Sequence, residues 1–146
     1  MKKLGLALLS VLFLNSCQVG CNLSILHMKD ADDVKKVFND EKYDVEVITN
    51  DENFFDNKLA YYLSQGTLTQ ENIESLKSQQ KGAVEEVSVS SSTESASVYI
   101  FSSMKIAEDL FKLLDGKLSH WSCYYANTYC YGSEDLVKSY FEQIQK

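Results

Sequence analysis

The chain has 146 residues, 45% apolar and 12% aromatic, with 21 acidic residues against 14 basic ones and a formal charge of −7. That length suits one domain able to bury a core, and the composition argues against a disordered tail. Every basic residue is lysine, so the acidic balance and the missing arginine fork both argue against nucleic acid as a partner.

Lys2 and Lys3 precede an eleven-residue apolar run, Leu4 to Leu14. A membrane-spanning helix needs roughly 20 apolar residues, so the run reads as the h-region of a secretory signal behind a positive n-region. It ends at Leu14-Asn15-Ser16-Cys17. This segment resembles the lipobox of bacterial lipoprotein precursors, in which a leucine lies three residues before an obligatory cysteine. Asn15 departs from that pattern, where a small or β-branched residue is commoner, and the resemblance covers residues 1–17 only.

The resemblance implies a signal peptide over 1–16, a lipid-anchored tether over 17–29 and a domain over 30–146. Cys17 would carry a diacylglyceryl group, often with a further acyl chain such as palmitate on its new amino group. Two or three acyl chains give durable anchoring where one gives only marginal binding. Residue 18 is Gln; in enterobacterial lipoproteins an Asp there would imply retention at the inner membrane, so the outer membrane is preferred, with the body on its periplasmic or surface side. Cleavage leaves 12 lysines against 21 acids, a net −9, and such a body is repelled by anionic headgroups.

Past the tether, Ala31, Val34, Val37 and Phe38 share one face of a helix expected over 30–42, with three aspartates at its positive end. Residues 43–49 alternate as a half-buried strand, and Asn50, Asp51 and Asn53 can cap the next helix. Phe55, Leu59, Tyr62 and Leu63 mark that helix over 54–65, and it stops at Gly66. Thr69 caps a weakly apolar, peripheral helix to about Gln80. Residues 84–91 and 95–102 form an antiparallel pair, with Val87, Val89, Ala96, Val98 and Ile100 alternating with hydroxyl residues. A helix over 104–114 presents Ala107, Leu110, Phe111 and Leu114, and a cysteine-bearing hairpin occupies 118–131. Ser133 caps a last helix with Leu136, Val137, Tyr140, Phe141 and Ile144 inward. The reading is a single small α+β domain, a mostly antiparallel sheet with flanking helices. Residues 95–125 can form a crossover within it.

Cys123 and Cys130 bracket Tyr124–Tyr129, so a hairpin would bring them within reach of a disulfide stabilising by about 2–3 kcal/mol. Cys21 is left over. No Gly-rich phosphate loop, GxSxG or HExxH occurs, and the cysteine spacings do not suit zinc, so no cofactor, metal or catalytic residue is assigned. His120 and Cys123 can be drawn as a catalytic pair, but residues three apart on a strand face opposite ways.

Trp121, Tyr124, Tyr125, Tyr129 and Tyr131 are the candidate binding residues, since tyrosine and tryptophan give large contact area at low entropic cost. A hydroxyl-rich stretch, Ser88, Ser90–Ser92, Thr93, Ser95 and Ser97, is a second recognition feature. The leading expectation is a non-enzymatic protein-binding lipoprotein serving in assembly, immunity or exclusion, or host contact. The alternatives are a freely secreted disulfide-bonded protein and an enzyme with dispersed catalytic residues.

Overall fold

Asp30 opens the first helix through a reciprocal capping box: its side chain accepts from the Asp33 N–H, and the Asp33 side chain accepts from the Asp30 N–H. The computed structural model describes residues 26–146, so the readings on the signal peptide, Cys17 and Cys21 lie outside the described residues. Helix α1 (Ala31–Val37) ends sooner than its apolar spacing predicts. Asp40 folds the chain into a local turn, its carboxylate accepting from Lys42 N–H and its carbonyl from Tyr43 N–H. Then come β1 (Asp44–Thr49), α2 (Phe54–Ser64), α3 (Gln70–Lys77), β2 (Glu85–Ser90), β3 (Ser95–Ile100), α4 (Met104–Leu114), β4 (Trp121–Tyr125), β5 (Thr128–Gly132) and α5 (Glu134–Ile144).

The five strands form one antiparallel sheet in the order β1-β2-β3-β5-β4. Strands β3 and β4 each run antiparallel to β5, so they are parallel to one another with β5 inserted between them. The chain is an α+β domain with helices on both faces of the sheet. Strand alternation divides its residues cleanly between those faces. Toward α1 and α5 stand Val87, Val89, Ala96, Val98, Ile100, Cys123 and Cys130, packed on Val34, Phe38, Leu136, Val137, Tyr140 and Ile144. Toward α2, α3 and α4 stand Tyr99 and Tyr129, packed with Phe55, Leu59, Tyr62, Leu76, Ile106, Leu110 and Leu114.

Some assignments shift. Helix α3 is not peripheral, because Leu76 is fully buried and Ile73 nearly so. Leu63 is 39% exposed, since it turns off the stripe defined by Phe55, Leu59 and Tyr62. Ser133 occupies the N-cap of α5 without making a side-chain cap bond, and its Oγ is buried without a hydrogen-bond partner.

Cys123 and Cys130 lie directly opposite one another, as the hairpin requires, but they are free buried thiols rather than a bridge. Phe101 N–H donates to Asn127 O and Ser133 N–H to Ser95 O, which fixes the β3–β5 bonding phase. Cys130 therefore bonds through its backbone toward Cys123. That is the wider class of antiparallel pair, with side chains farther apart. The Cys123 thiol donates to Val137 O, 3.7 Å away on α5, and lies within hydrogen-bonding reach of the Cys130 thiol. Burial, then the neighbouring Cys123 thiol, pushes the Cys130 thiol well above its ordinary value.

Candidate functional site

The same alternation divides the five candidate aromatics. Trp121 and Tyr125 face α1 and α5, with Lys138 Nζ 5.0 Å from the Trp121 ring and Lys29 Nζ 5.8 Å from the Tyr125 ring. Tyr124, Tyr129 and Tyr131 face the other way. Tyr129 is fully buried, and the half-buried Tyr124 packs on Phe111 with ring centroids 5.1 Å apart. The structure therefore does not gather the five into one surface. It leaves Tyr131 at a boundary where the helical cover stops.

On that face, α2, α3 and α4 cover the tyrosine end of the sheet only. Ser88, Ser97 and Tyr131, on neighbouring strands, remain outside the cover. Together with Thr93, Ser95, Ser119, His120, Trp121 and the α5 start they border an open groove of about 710 Å³, which brings together Trp121 and Tyr131 of the five candidate aromatics. Tyr131 is its best-anchored side chain. Its hydroxyl shares a 2.8 Å hydrogen bond with Tyr99 Oη, and its ring lies 5.4 Å from Tyr99 and 5.8 Å from His120. Lys58 Nζ stands 5.8 Å from the same ring.

Burial beneath this boundary raises the tyrosine pKa values, Tyr62 to about 12 and Tyr99 further, the latter helped by its Tyr131 hydrogen bond. The groove thus joins a rigid aromatic edge to a row of small hydroxyls on a paired sheet. His120 opens into it, whereas Cys123 is buried on the opposite face, so the two are not brought together. Among the described residues no cluster of three or more His, Cys, Asp or Glu side chains could hold a metal ion.

A second depression, about 520 Å³, lies between α1 and α5 and is bordered by Lys29, Lys36, Lys42 and Lys146. Its lysines already have partners. Lys36 pairs with Asp33, Lys42 lies 4.7 Å from the Tyr43 ring, and Lys146 donates to Gln143.

The segment just before α1 is fastened to the sheet by one side chain. Asn127 Oδ1 accepts from Lys29 N–H at 2.6 Å, and Asn127 Nδ2 donates to Lys29 O at 3.0 Å and to Phe101 O at 2.9 Å. Residue 127 lies in the β4–β5 turn, whereas the groove sits where β5 reaches Gly132. Five strand residues separate the two, about 17 Å at ~3.3 Å per residue. No sequence pattern announced this clamp beyond an asparagine in a turn.

No protein-family model matches the chain, nor does any curated protein or solved structure. Among the described residues no helix is long and apolar enough to cross a membrane.

Proposed function

We propose that the chain is a lipid-anchored envelope lipoprotein, preferentially at the outer membrane, acting as a non-enzymatic protein-binding module through the Tyr131 groove. The observation that carries the reading is the groove's composition and place. Hydroxyls of Ser88, Ser95, Ser97 and Thr93 beside Tyr131 and His120 give adaptable hydrogen bonding next to a rigid aromatic contact, the pairing that suits polar protein interfaces. An open groove lined largely by serine and threonine hydroxyls suits a small apolar ligand poorly. The groove also lies at the far end of the strands from Lys29, where the tether leaves. Lys29 lies twelve positions after Cys17, at most about 40 Å of chain, so a body held at Cys17 can present the groove away from the lipid.

Two measurements test the two halves of this reading. Wild type should incorporate labelled fatty acid and sediment with membranes, and Cys17→Ser should do neither; unlabelled wild type would leave the freely secreted alternative. A photo-crosslinking amino acid at Ser97 should give discrete protein adducts in intact cells, whereas the same probe at Ser139, on the opposite face, should not. Equal adduct patterns from both positions would remove the groove as the binding surface.

A further inference from the structure

Strand β1 forms one edge of the sheet, and among the described residues no helix packs on it more than marginally. Its six residues pair one-to-one with β2 without a bulge. Asn50 N–H donates to Val84 O, 3.0 Å away, just beyond the Thr49–Glu85 pair. Bonded pairs alternate along an antiparallel ladder, so Ile48, Glu46 and Asp44 bond inward to β2. Val45, Val47 and Thr49 therefore turn their N–H and C=O groups outward. A regular edge without proline, lysine or bulge is a template for another strand.

The flanking side chains specify which strand fits. Val45 and Val47 lie on the α1/α5 face, with Val47 39% exposed. Asp44 and Glu46 lie exposed on the other face. Segments 40–52 and 85–94 carry nine carboxylates and one lysine, a net −8, whereas the rest of the described chain nets −1 from 12 acids and 11 lysines. None of those nine carboxylates takes part in the six ion pairs of the described residues. A second copy adding its own β1 would bring the Asp44 and Glu46 carboxylates of both copies onto one face of the joined sheet, where they repel. A strand that alternates apolar residues with cations meets Val45 and Val47 on one face and the carboxylates on the other.

We propose that the β1 edge accepts, by strand addition, an extended basic segment of a partner protein in which apolar residues alternate with lysine or arginine. The site is separate from the Tyr131 groove and depends on neither the groove nor the lipid anchor.

The test uses the full chain in neutral detergent and a capped peptide alternating lysine and valine over β1's length. The peptide should bind, more weakly as salt rises, and should slow hydrogen exchange at Val45, Val47 and Thr49. Val47→Pro removes an outward N–H and leaves the β2 ladder intact, so it should weaken binding roughly tenfold or more, and Val47→Ala much less. Asp44→Lys with Glu46→Lys should weaken it by a similar factor, about tenfold, and transfer preference to a glutamate–valine peptide. Equal binding of a peptide N-methylated along its bonding edge would show charge attraction without strand pairing and overturn the proposal, as would no binding or indifference to Val47→Pro.

Discussion

Replacing Asn127 by alanine removes three hydrogen bonds at once, and their cost can be worked group by group. Phe101 O lies in a residue only 3% exposed, so losing the Nδ2 donor leaves a buried carbonyl dry at about 1–3 kcal/mol. Lys29 is half-buried, and water can replace part of what its N–H and C=O lose, about 0.5–1 kcal/mol each. The expected loss is roughly 2–5 kcal/mol, a large share of a stability that is typically about 5–15 kcal/mol. Urea unfolding should show a lower midpoint with an unchanged slope, and native-state hydrogen exchange should show the Lys29 amide losing protection. Asn127→Asp keeps the acceptor for Lys29 N–H but turns a carboxylate oxygen toward Lys29 O and Phe101 O. It should be worse than alanine at neutral pH and recover on acidification, because protonation removes the buried charge and its repulsion. A stability loss under about 0.5 kcal/mol with Lys29 still protected would refute the clamp.

Gly132→Ala should be among the most damaging single substitutions, roughly 3 kcal/mol or more. Its Cβ would lie 2.3 Å from Ser95 O and 2.6 Å from Ala96 Cα at a φ of +155°, forcing β3 and β5 apart, which thermal unfolding would register. Alkaline unfolding should begin near pH 10 and be steeper than one proton. Tyr62 is raised from 10.0 to about 12, and Tyr99, Tyr129 and Tyr140 are also raised by burial. The unfolded chain thus ionises first, and stability falls between the unfolded and folded values. Tyrosinate absorbance followed alongside circular dichroism checks this; ordinary titration of every tyrosine in a folded chain would contradict it. Cys123 and Cys130 should resist alkylation in the folded chain and react on denaturation, because both thiols are buried and the Cys130 thiol is held protonated. Intact mass after native alkylation measures it, and rapid labelling would mean that β4 detaches.

The ten elements of the described residues and their order arise from signals local to each segment. Thr69 makes the capping box that opens α3, and Gly66 and Gly116 adopt the left-handed φ of +67° and +71° past the ends of α2 and α4. Valines alternating with serines mark the β2–β3 pair. What local signals do not carry is where a hairpin enters the sheet. Strand β5 lies between β3 and β4, so Tyr129 is sealed beneath the helices, and a cluster of aromatics that is compact along the chain is split between two faces and two depths. The same limit hid the clamp, whose partners Lys29 and Asn127 are 98 residues apart. The cysteine pair shows a finer version of it. Spacing placed the two thiols opposite one another, but the ladder's bonding phase, set by β3, decides which class of antiparallel pair they form.

The two sheet edges meet water on different terms. Strand β4 is packed by α4 and α5 from opposite faces, and Ser122 and Cys123 at its middle are buried, so steric cover protects it. Among the described residues strand β1 has no comparable cover, and its protection is electrostatic: Asp44 and Glu46 repel a second copy of the same strand. Steric cover excludes every strand alike, whereas charge excludes by sign. An edge guarded only by carboxylates is closed to an acidic chain, including its own copies, and open to a basic one. The concentration of nearly all the net charge on the β1–β2 side is thus a selection rule as well as a source of solubility.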